Sequence, residues 1–173
     1  MTVYFDREYN PYGELCNWYW HHAPLIFEDK EYPTAEHLYQ ACKYQHSAAA
    51  RAYAEAIRLC STPHGAKLLG RRERLRMHGW QRRLCALIDQ HAVAPDPDWE
   101  SRKLAVMSAV LRLKFDQDSQ CRKVLRGTGA ARLVERSRDS YWGAGRDGRG
   151  ANELGRLLEA LRAELPSERS YQQ

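Results

Sequence analysis

Residues 31–44 read EYPTAEHLYQACKY, and this stretch predicts a helix with an unusual polar face. Pro33 and Thr34 are suited to a helix start, with Thr34 as the N-cap residue. We predict a helix over residues 34–46. Four polar residues spaced by three or four positions then share one face of it: Glu36, Tyr39, Gln40 and Lys43.

The stretch by itself allows two interpretations of this face. In the plain one, Glu36 occupies the first helical turn, where a carboxylate favours the helix dipole, and Tyr39 belongs to the core. In the other, the carboxylate, phenol, amide and amine form the wall of a site. Glu36 and Lys43 are seven positions apart, so they are not a close ion pair on the helix surface.

Working outward, the sequence predicts a mostly helical α+β fold with a few short strands. Residues 3–32 are rich in aromatics and turn signals, and residues 24–32 indicate one arm of a hairpin. We expect one domain over residues 1–165 and a loose tail over 166–173. Further helices are predicted over 48–59, 61–71, 99–115 and 120–129, a strand over 131–137, and a last helix with a core stripe of Leu154, Leu157, Leu158, Leu161 and Leu165.

Composition is that of a globular protein, with 43% hydrophobic and 28% charged residues. No apolar run reaches the length that a membrane span needs. The first ten residues have neither the basic nor the apolar segment of a signal peptide. We therefore expect a cytoplasmic chain that does not enter a membrane.

The cysteine and histidine pattern favours neither a metal site nor catalysis by a thiol. The five cysteines are scattered, without a C-x-x-C pair, and the seven histidines include no H-E-x-x-H motif. We interpret the cysteines as reduced, partly buried thiols. No metal and no redox cofactor are expected.

The net charge is +5, and 21 arginines outnumber six lysines. Arginine forks bind phosphate oxygens in pairs, which lysine cannot do. The densest basic stretch is GRRERLRMHGWQRR, residues 70–83. It is either a solvated basic surface or a surface that attracts an anionic partner, and composition does not decide between them.

A glycine-rich loop, WGAGRDGRGAN over residues 142–152, precedes the last helix. It fits G-x-G-x-x-G formally, but a dinucleotide-binding unit needs a further strand, and the sequence ends after one helix. The loop is either a plain turn or an anion site made of backbone N–H groups with Arg146 and Arg149. Asp139 and Trp142 beside it suit a cleft that stacks a flat base and transfers protons.

Taken together, these stretches resemble the NADAR family, also called YbiA-like. The similarity runs from about residue 4 to 162. It departs at Cys16, where the family usually has serine, and near Glu159, where methionine is common. The matching motifs are EHLYQACK (36–43), AKLLGR (66–71), KF (114–115), TG (128–129), DSYWGAG (139–145) and GANELG (150–155).

The resemblance implies an N-glycosidase. Family members are associated with ribosylaminopyrimidine phosphates, which are intermediates of riboflavin biosynthesis, and with ADP-ribose attached to guanine in nucleic acid. The expected partner is therefore a small phosphorylated N-glycoside or an ADP-ribosylated nucleic acid, with the chain acting as a monomer. A non-catalytic module that binds ADP-ribose, a nucleotide or nucleic acid in the same cleft is the alternative.

The resemblance also implies which residues act. Glu36 is expected to stabilise the cationic sugar or to activate water, and Asp139 to contact or protonate the base. Lys43 is expected either to attack the sugar carbon or to act as a fixed positive charge. Aromatic side chains would stack on the base, and basic ones would bind phosphate. The expected substrate-binding residues are Asn17, Tyr39, Gln40, Lys67, Arg71, Trp99, Trp142, Gly143 and Asn152.

Overall fold

The computed structural model describes residues 1–71, 79, 83 and 93–165. Within these ranges the fold is α+β and mostly helical, as predicted. The chain divides into two compact units, residues 20–110 and residues 1–19 with those from 111 onward. The elements are β1 (Thr2–Phe5), a 3-10 helix (Gly13–Leu15), β2 (Leu25–Phe27), β3 (Lys30–Tyr32), α1 (Ala35–Ala41), α2 (Ala48–Arg58), α3 (Pro63–Arg71), α4 (Trp99–Gln117), α5 (Ser119–Gly127), β4 (Arg132–Glu135) and α6 (Glu153–Glu164).

A hairpin forms in the unit of residues 20–110, and the stretch predicted as one arm contains both of its strands. Strands β2 and β3 are antiparallel, with Phe27 opposite Lys30. The two residues between them, Glu28 and Asp29, both have positive φ angles, 49° and 59°. Positive φ at both central residues is the geometry that matches the twist of a two-residue hairpin.

Three helices of this unit begin where the sequence predicts, because each has a hydroxyl residue at its start. Thr34 accepts a hydrogen bond from a first-turn N–H of α1, and Ser47 does the same for α2. Thr62 accepts from the Gly65 N–H, with Pro63 as the first residue of α3. Helix α1 packs against α2 and α3 over a core of Leu38, Tyr44, Tyr53, Ile57 and Leu69.

Helix α1 ends at Ala41, so the prediction of a helix over 34–46 is too long. The cause lies far along the chain, at Asp96. Its carboxylate accepts the N–H groups of Gln45 (2.8 Å) and His46 (3.1 Å), and its own N–H donates to the Lys43 carbonyl at 2.7 Å. A continuing helix would need these same groups, so Asp96 replaces the next helical turn.

The other unit is built on a two-stranded parallel sheet. Strand β1 pairs with β4, so that Val3 lies opposite Leu133, and both are buried. The strand predicted over 131–137 is confirmed as β4. Helix α6 packs against β4 and buries Leu154, Leu158 and Leu161.

Two leucines of the predicted core stripe differ from the prediction. Leu157 is half-buried, and Leu165 follows the end of α6 in extended conformation. The expected tail, residues 166–173, lies outside the described residues. Among the helices described, none combines the length and the apolar character that crossing a membrane requires.

Candidate active site

Glu36 is held as a buried carboxylate in the first turn of α1. Its side chain is 6% exposed, and Oε1 accepts a 2.7 Å hydrogen bond from Gln40 Nε2, one helical turn later. This contact fixes the orientation of the Gln40 amide, because only its nitrogen can donate to a carboxylate. The other amide atom, Gln40 Oε1, is buried and has no hydrogen-bond partner in the described part of the chain.

His37 fixes the start of α1 beside Glu36. Its ring is fully buried, with Nε2 3.0 Å from the Cys60 carbonyl and Nδ1 2.8 Å from Thr34 Oγ1. Because a carbonyl only accepts, Nε2 carries the proton and Nδ1 accepts from the Thr34 hydroxyl. Burial lowers the pKa of His37, against the raising effects of the Cys60 hydrogen bond and of Glu36. The role of His37 in fixing the start of α1 was not predicted from the sequence.

Lys43 lies two residues beyond the end of α1, in a turn whose Lys43 N–H donates to the Gln40 carbonyl. The side chain is 8% exposed, and Nζ is 5.4 Å from the ring centroids of both Tyr39 and Trp99. These two rings are tilted by 59° with their centroids 5.3 Å apart. The structure gives Nζ no hydrogen bond or ion pair with any residue that it describes.

This environment changes the protonation of Lys43. Burial lowers its pKa to about 8. The charge of Glu36 acts in the opposite direction, whereas Arg71 and Lys67 add to the lowering. A lysine in this state carries an appreciable fraction of neutral amine near neutral pH, and only the neutral amine is a nucleophile.

Asp96 sets the position of this amine through the backbone. Its hydrogen bonds hold the turn that carries Lys43, and it also contacts His46 Nδ1 at 2.9 Å. Burial by itself would raise the pKa of Asp96, but hydrogen bonds from Gln45 and His46 together outweigh it and lower the pKa. The anionic form is thus the one built into the fold. Sequence reasoning missed Asp96, because the residues that it binds lie about fifty positions away.

Helix α3 supplies the positive charge of this region. Lys67 is half-buried and Arg71 is exposed, one turn apart on the same helix. Between them, Gly70 is buried against the Gln40 carboxamide, and a Cβ at this position would overlap that group. Glycine is therefore required for the close approach of α3 to α1. The structure thus brings together seven of the predicted residues. Five are in direct contact around α1, and Lys67 and Arg71 act on Lys43 through their charges: Glu36, Tyr39, Gln40, Lys43, Trp99, Lys67 and Arg71.

The remaining predicted residues belong to the other unit. Asp139 is half-buried at the start of the glycine-rich loop, and its Oδ1 accepts the N–H groups of Tyr141 (3.0 Å) and Trp142 (2.9 Å). The half-buried Trp142 ring contacts Tyr141 edge to face, with centroids 4.9 Å apart. Gly143 is buried where a Cβ would overlap the Ser137 hydroxyl. The local structure therefore gives Asp139 a turn-forming role in addition to the predicted chemical one.

Asn152 joins α6 to the sheet. Its Oδ1 accepts the Glu135 N–H at 3.0 Å, and its Nδ2 donates to the Leu133 carbonyl at 2.8 Å. Both ends of the amide thus bind β4 as a neighbouring strand would. The residue also has a positive φ of 54°, which asparagine tolerates better than most residues. Asn17 is buried in the same unit.

Most N–H groups of the glycine-rich loop are used inside the protein. Those of Gly143 and Gly145 donate to the Asp139 carbonyl. The first two N–H groups of α6, from Glu153 and Leu154, donate to carbonyls of the preceding loop. These four N–H groups are therefore already used within the fold, so they do not serve the anion site that was one of the two interpretations of the loop. The basic stretch 70–83 lies almost wholly outside the described residues.

Comparison with known proteins agrees with the motifs. The model of the NADAR domain matches residues 3–166. The chain belongs to the NADAR domain family. The resemblance stated from the sequence is thereby confirmed.

Two relatives and one solved structure place this NADAR domain more closely. It is 35% identical over 169 residues to the N-glycosidase YbiA of Escherichia coli strain K12. The alignment covers 96% of this chain and 90% of that protein. It is 32% identical to a region of the chloroplastic riboflavin biosynthesis protein PYRR of Zea mays, covering 94% of this chain and 25% of that protein. The NMR structure of E. coli YbiA superposes with a TM-score of 0.75 at 32% identity, covering 100% of this chain and 89% of that one.

These similarities establish the enzyme class. This NADAR domain is an N-glycosidase, a hydrolase of N-glycosyl bonds. A hydrolase of this class must stabilise positive charge at the sugar carbon and release a nitrogen base. The buried Glu36 carboxylate and the Lys43 amine, whose pKa is lowered to about 8, are suited to these tasks.

Proposed function

We propose that this NADAR domain cleaves the bond between nitrogen and C1′ of a phosphorylated ribosylamine, using Glu36 and Lys43. The observation that carries the proposal is the state of Lys43. It is a buried amine with a pKa lowered to about 8, enclosed by two aromatic rings. A purely structural lysine gains stability from hydrogen bonds or an ion pair, and the residues described here offer it neither.

Glu36 takes the role of the charged stabiliser. Breaking the bond from C1′ to nitrogen develops positive charge on the sugar, and a buried carboxylate opposes that charge more strongly than one in water. The Gln40 amide holds the Glu36 carboxylate in place, so little reorganisation is needed during the reaction. Glu36 is also suited to accept a proton from the attacking water.

Lys43 takes the role of the nucleophile. When the ribosylamine ring opens, C1′ becomes an imine carbon, and the neutral Nζ adds to it to form a new C–N bond. A proton then moves to the base nitrogen, and the bond from C1′ to that nitrogen breaks with its electron pair leaving on the base. Water hydrolyses the resulting Schiff base, which releases the sugar as an aldehyde and restores the amine.

The substrate class follows from the groups around this amine. Lys67 and Arg71 supply positive charge for a phosphate, and Trp99 is proposed to stack on a flat base. A ribosylaminopyrimidine phosphate and an ADP-ribosylated guanine in nucleic acid both meet these requirements. The name of the maize relative favours the riboflavin-pathway compound.

The direct test is release of free base by the purified protein. We would incubate it with a ribosylaminopyrimidine phosphate and, separately, with an oligonucleotide carrying ADP-ribosylated guanine, and separate the products by liquid chromatography. Turnover of either compound supports the proposal and identifies the substrate. Binding of both without release of base or sugar would contradict it and would favour the alternative of a non-catalytic nucleotide-binding module.

A further inference from the structure

A second basic site lies in the unit that contains the glycine-rich loop. A cleft of about 610 Å³ opens beside the end of β4. One side is formed by Tyr4 and by residues that follow β4, the other by the loop around Gly145 and Gly148. Three arginines line it: Arg136, Arg138 and Arg146. This volume is in the range of sites that bind a nucleotide-sized ligand.

No acidic side chain among the described residues forms an ion pair with the arginines of this cleft. All three arginines are exposed, and none of their guanidinium groups has a hydrogen bond or an ion pair with a described residue. By contrast, Arg58, Arg102, Arg112 and Arg156 each pair with a carboxylate. No aspartate or glutamate is among the described residues that line the cleft. Three like charges around one concavity repel each other unless an anion binds between them.

Two acids flank the lining residues in sequence, and each accepts a local hydrogen bond. Glu135 Oε2 accepts a hydrogen bond from the Ser137 hydroxyl at 3.1 Å. Asp147 Oδ1 accepts the Arg149 N–H at 3.1 Å and turns the loop there. Positive φ angles at Gly145 (72°) and Gly148 (74°), which glycine adopts without strain, complete the turn that carries Arg146 and Asp147.

The Tyr4 ring gives the cleft a flat aromatic surface beside its three arginines. The Arg136 guanidinium lies over the Tyr4 ring, 5.1 Å from its centroid, which orients the guanidinium without neutralising it. Guanidinium groups held in this way bind phosphate oxygens in pairs. We propose that the cleft lined by Arg136, Arg138 and Arg146, the arginine cleft, binds phosphate groups of a nucleotide or of a nucleic acid strand. This site goes beyond the proposed cleavage, which uses Glu36 and Lys43.

The test compares two triple variants with the same loss of charge. The first replaces Arg136, Arg138 and Arg146 by glutamine. The control replaces three exposed arginines outside the cleft, also by glutamine: Arg51, Arg112 and Arg156. Binding of a fluorescent single-stranded 12-mer is followed by anisotropy at several salt concentrations. The single Arg138→Gln variant is prepared as well. Thermal unfolding of all three variants shows whether the fold is kept.

We expect the cleft variant to bind the 12-mer at least about 10-fold more weakly, and the control less than about 3-fold more weakly. The slope of log affinity against log salt should fall by about 2, since each phosphate contact to a single strand contributes about 0.7. Calorimetry with ADP and with inorganic pyrophosphate separates the possible ligands. A loss confined to the 12-mer assigns the site to a phosphodiester strand, and a loss confined to the small anions assigns it to a free nucleotide.

Equal losses in the cleft and control variants, for all three probes, would overturn the proposal. So would an Arg138→Gln variant that keeps full affinity while the protein binds these anions. Release of base from substrate is measured separately. A protein that cleaves no N-glycoside but binds phosphate through this cleft would refute the proposed cleavage and leave the arginine cleft intact.

Discussion

Two lysines of this protein are buried, and their surroundings differ. Lys114, in the second half of α4, is fully buried, and its Nζ donates a 2.7 Å hydrogen bond to the Cys16 carbonyl. It also lies 5.3 Å from the centroid of the Phe115 ring. Lys43 is 8% exposed and has two rings around it, but no hydrogen-bond acceptor among the described residues. Burial lowers the pKa of both amines.

Under the proposed mechanism, this difference separates a structural lysine from the nucleophile. A buried ammonium that donates to a carbonyl recovers part of the hydration that it has lost, and it ties two segments together. Lys43 recovers less, so the folded protein is destabilised by its charge, and its neutral form becomes accessible. Burial and a lowered pKa therefore do not distinguish the two lysines, whereas the hydrogen-bond acceptor of Lys114 does.

The largest effect is expected for Lys43→Arg. A guanidinium stays protonated and cannot attack C1′, so turnover should fall by at least about 10⁴-fold. Borohydride added during turnover should trap the sugar on the wild-type peptide that carries Lys43, as seen by mass spectrometry. Lys30→Arg, at an exposed position in β3, is the matched control and should keep full activity. An active Lys43→Arg enzyme would reduce the lysine to an electrostatic role.

Glu36→Gln should have the next largest effect. The amide keeps the shape of the side chain but removes the charge that stabilises the sugar cation, so kcat should fall by about 10²–10³-fold. Glu28→Gln removes the same charge from the exposed hairpin turn and serves as the control. Near-normal turnover of the Glu36 variant, with an unchanged melting temperature, would exclude Glu36 from the reaction.

Lys114→Ala tests the structural side of the comparison. The change removes a buried alkyl chain and leaves the Cys16 carbonyl without this donor, so the free energy of unfolding should fall by about 2–4 kcal/mol. Urea denaturation measures it. The folded fraction should keep kcat within about fivefold of wild type, because no reacting atom is lost. A stable variant that has lost turnover would instead place Lys114 in the chemistry.

The start of the site could be predicted from local sequence, whereas its far end could not. Thr34 and the spacing of Glu36, Tyr39 and Gln40 give the cap and the face of α1, and these depend on residues within one or two turns. The end of α1 depends on Asp96, and the aromatic enclosure of Lys43 depends on Trp99. Both are more than fifty residues away in sequence, where spacing carries no information.

The glycine-rich loop shows the same limit in another form. Its glycines and Asn152 are visible in the sequence, but their composition is equally typical of an anion site and of a turn. Only the hydrogen bonds of Asn152 to β4 show that the amide replaces part of a strand. Arg146 was named from the sequence as a candidate anion ligand, but its grouping with Arg136 and Arg138 was missed for a related reason. Arg136 and Arg138 are separated from Arg146 by the loop, and only the fold brings them around one cleft.

Lys43→Met should make the protein more stable. The pKa of Lys43 in the folded state, about 8, is lower than its ordinary value of about 10.4, so the fold disfavours the charged amine. That burden is fully present below pH 8, where both states are protonated, and it disappears as the pH rises through about 10.4. The gain in unfolding free energy should therefore be about 1–3 kcal/mol at pH 7 and near zero above pH 10.5. Lys30→Met, measured alongside by urea denaturation, should show no such pH dependence.

The smallest expected effect is also the most specific to the role of Lys43. If the neutral amine attacks C1′, kcat/KM follows its deprotonated fraction and rises about tenfold per pH unit until it levels off near pH 8, where the pKa of this amine lies. One such factor of ten corresponds to about 1.4 kcal/mol. If Lys43 acts instead as a fixed positive charge, the dependence reverses, and kcat/KM falls above pH 8. The measurement uses initial rates at substrate concentrations well below KM, between pH 6 and 9.5, in buffers of constant ionic strength.

Asp96→Asn should move the rising part of this pH profile to higher pH. The Asp96 carboxylate holds the turn that buries Lys43, and a looser turn returns the pKa of the amine toward its ordinary value. A profile that stays flat through pH 8 in both proteins would show that the amine does not titrate in the rate-limiting reaction, and it would remove the distinction between Lys43 and Lys114 on which the mechanism depends.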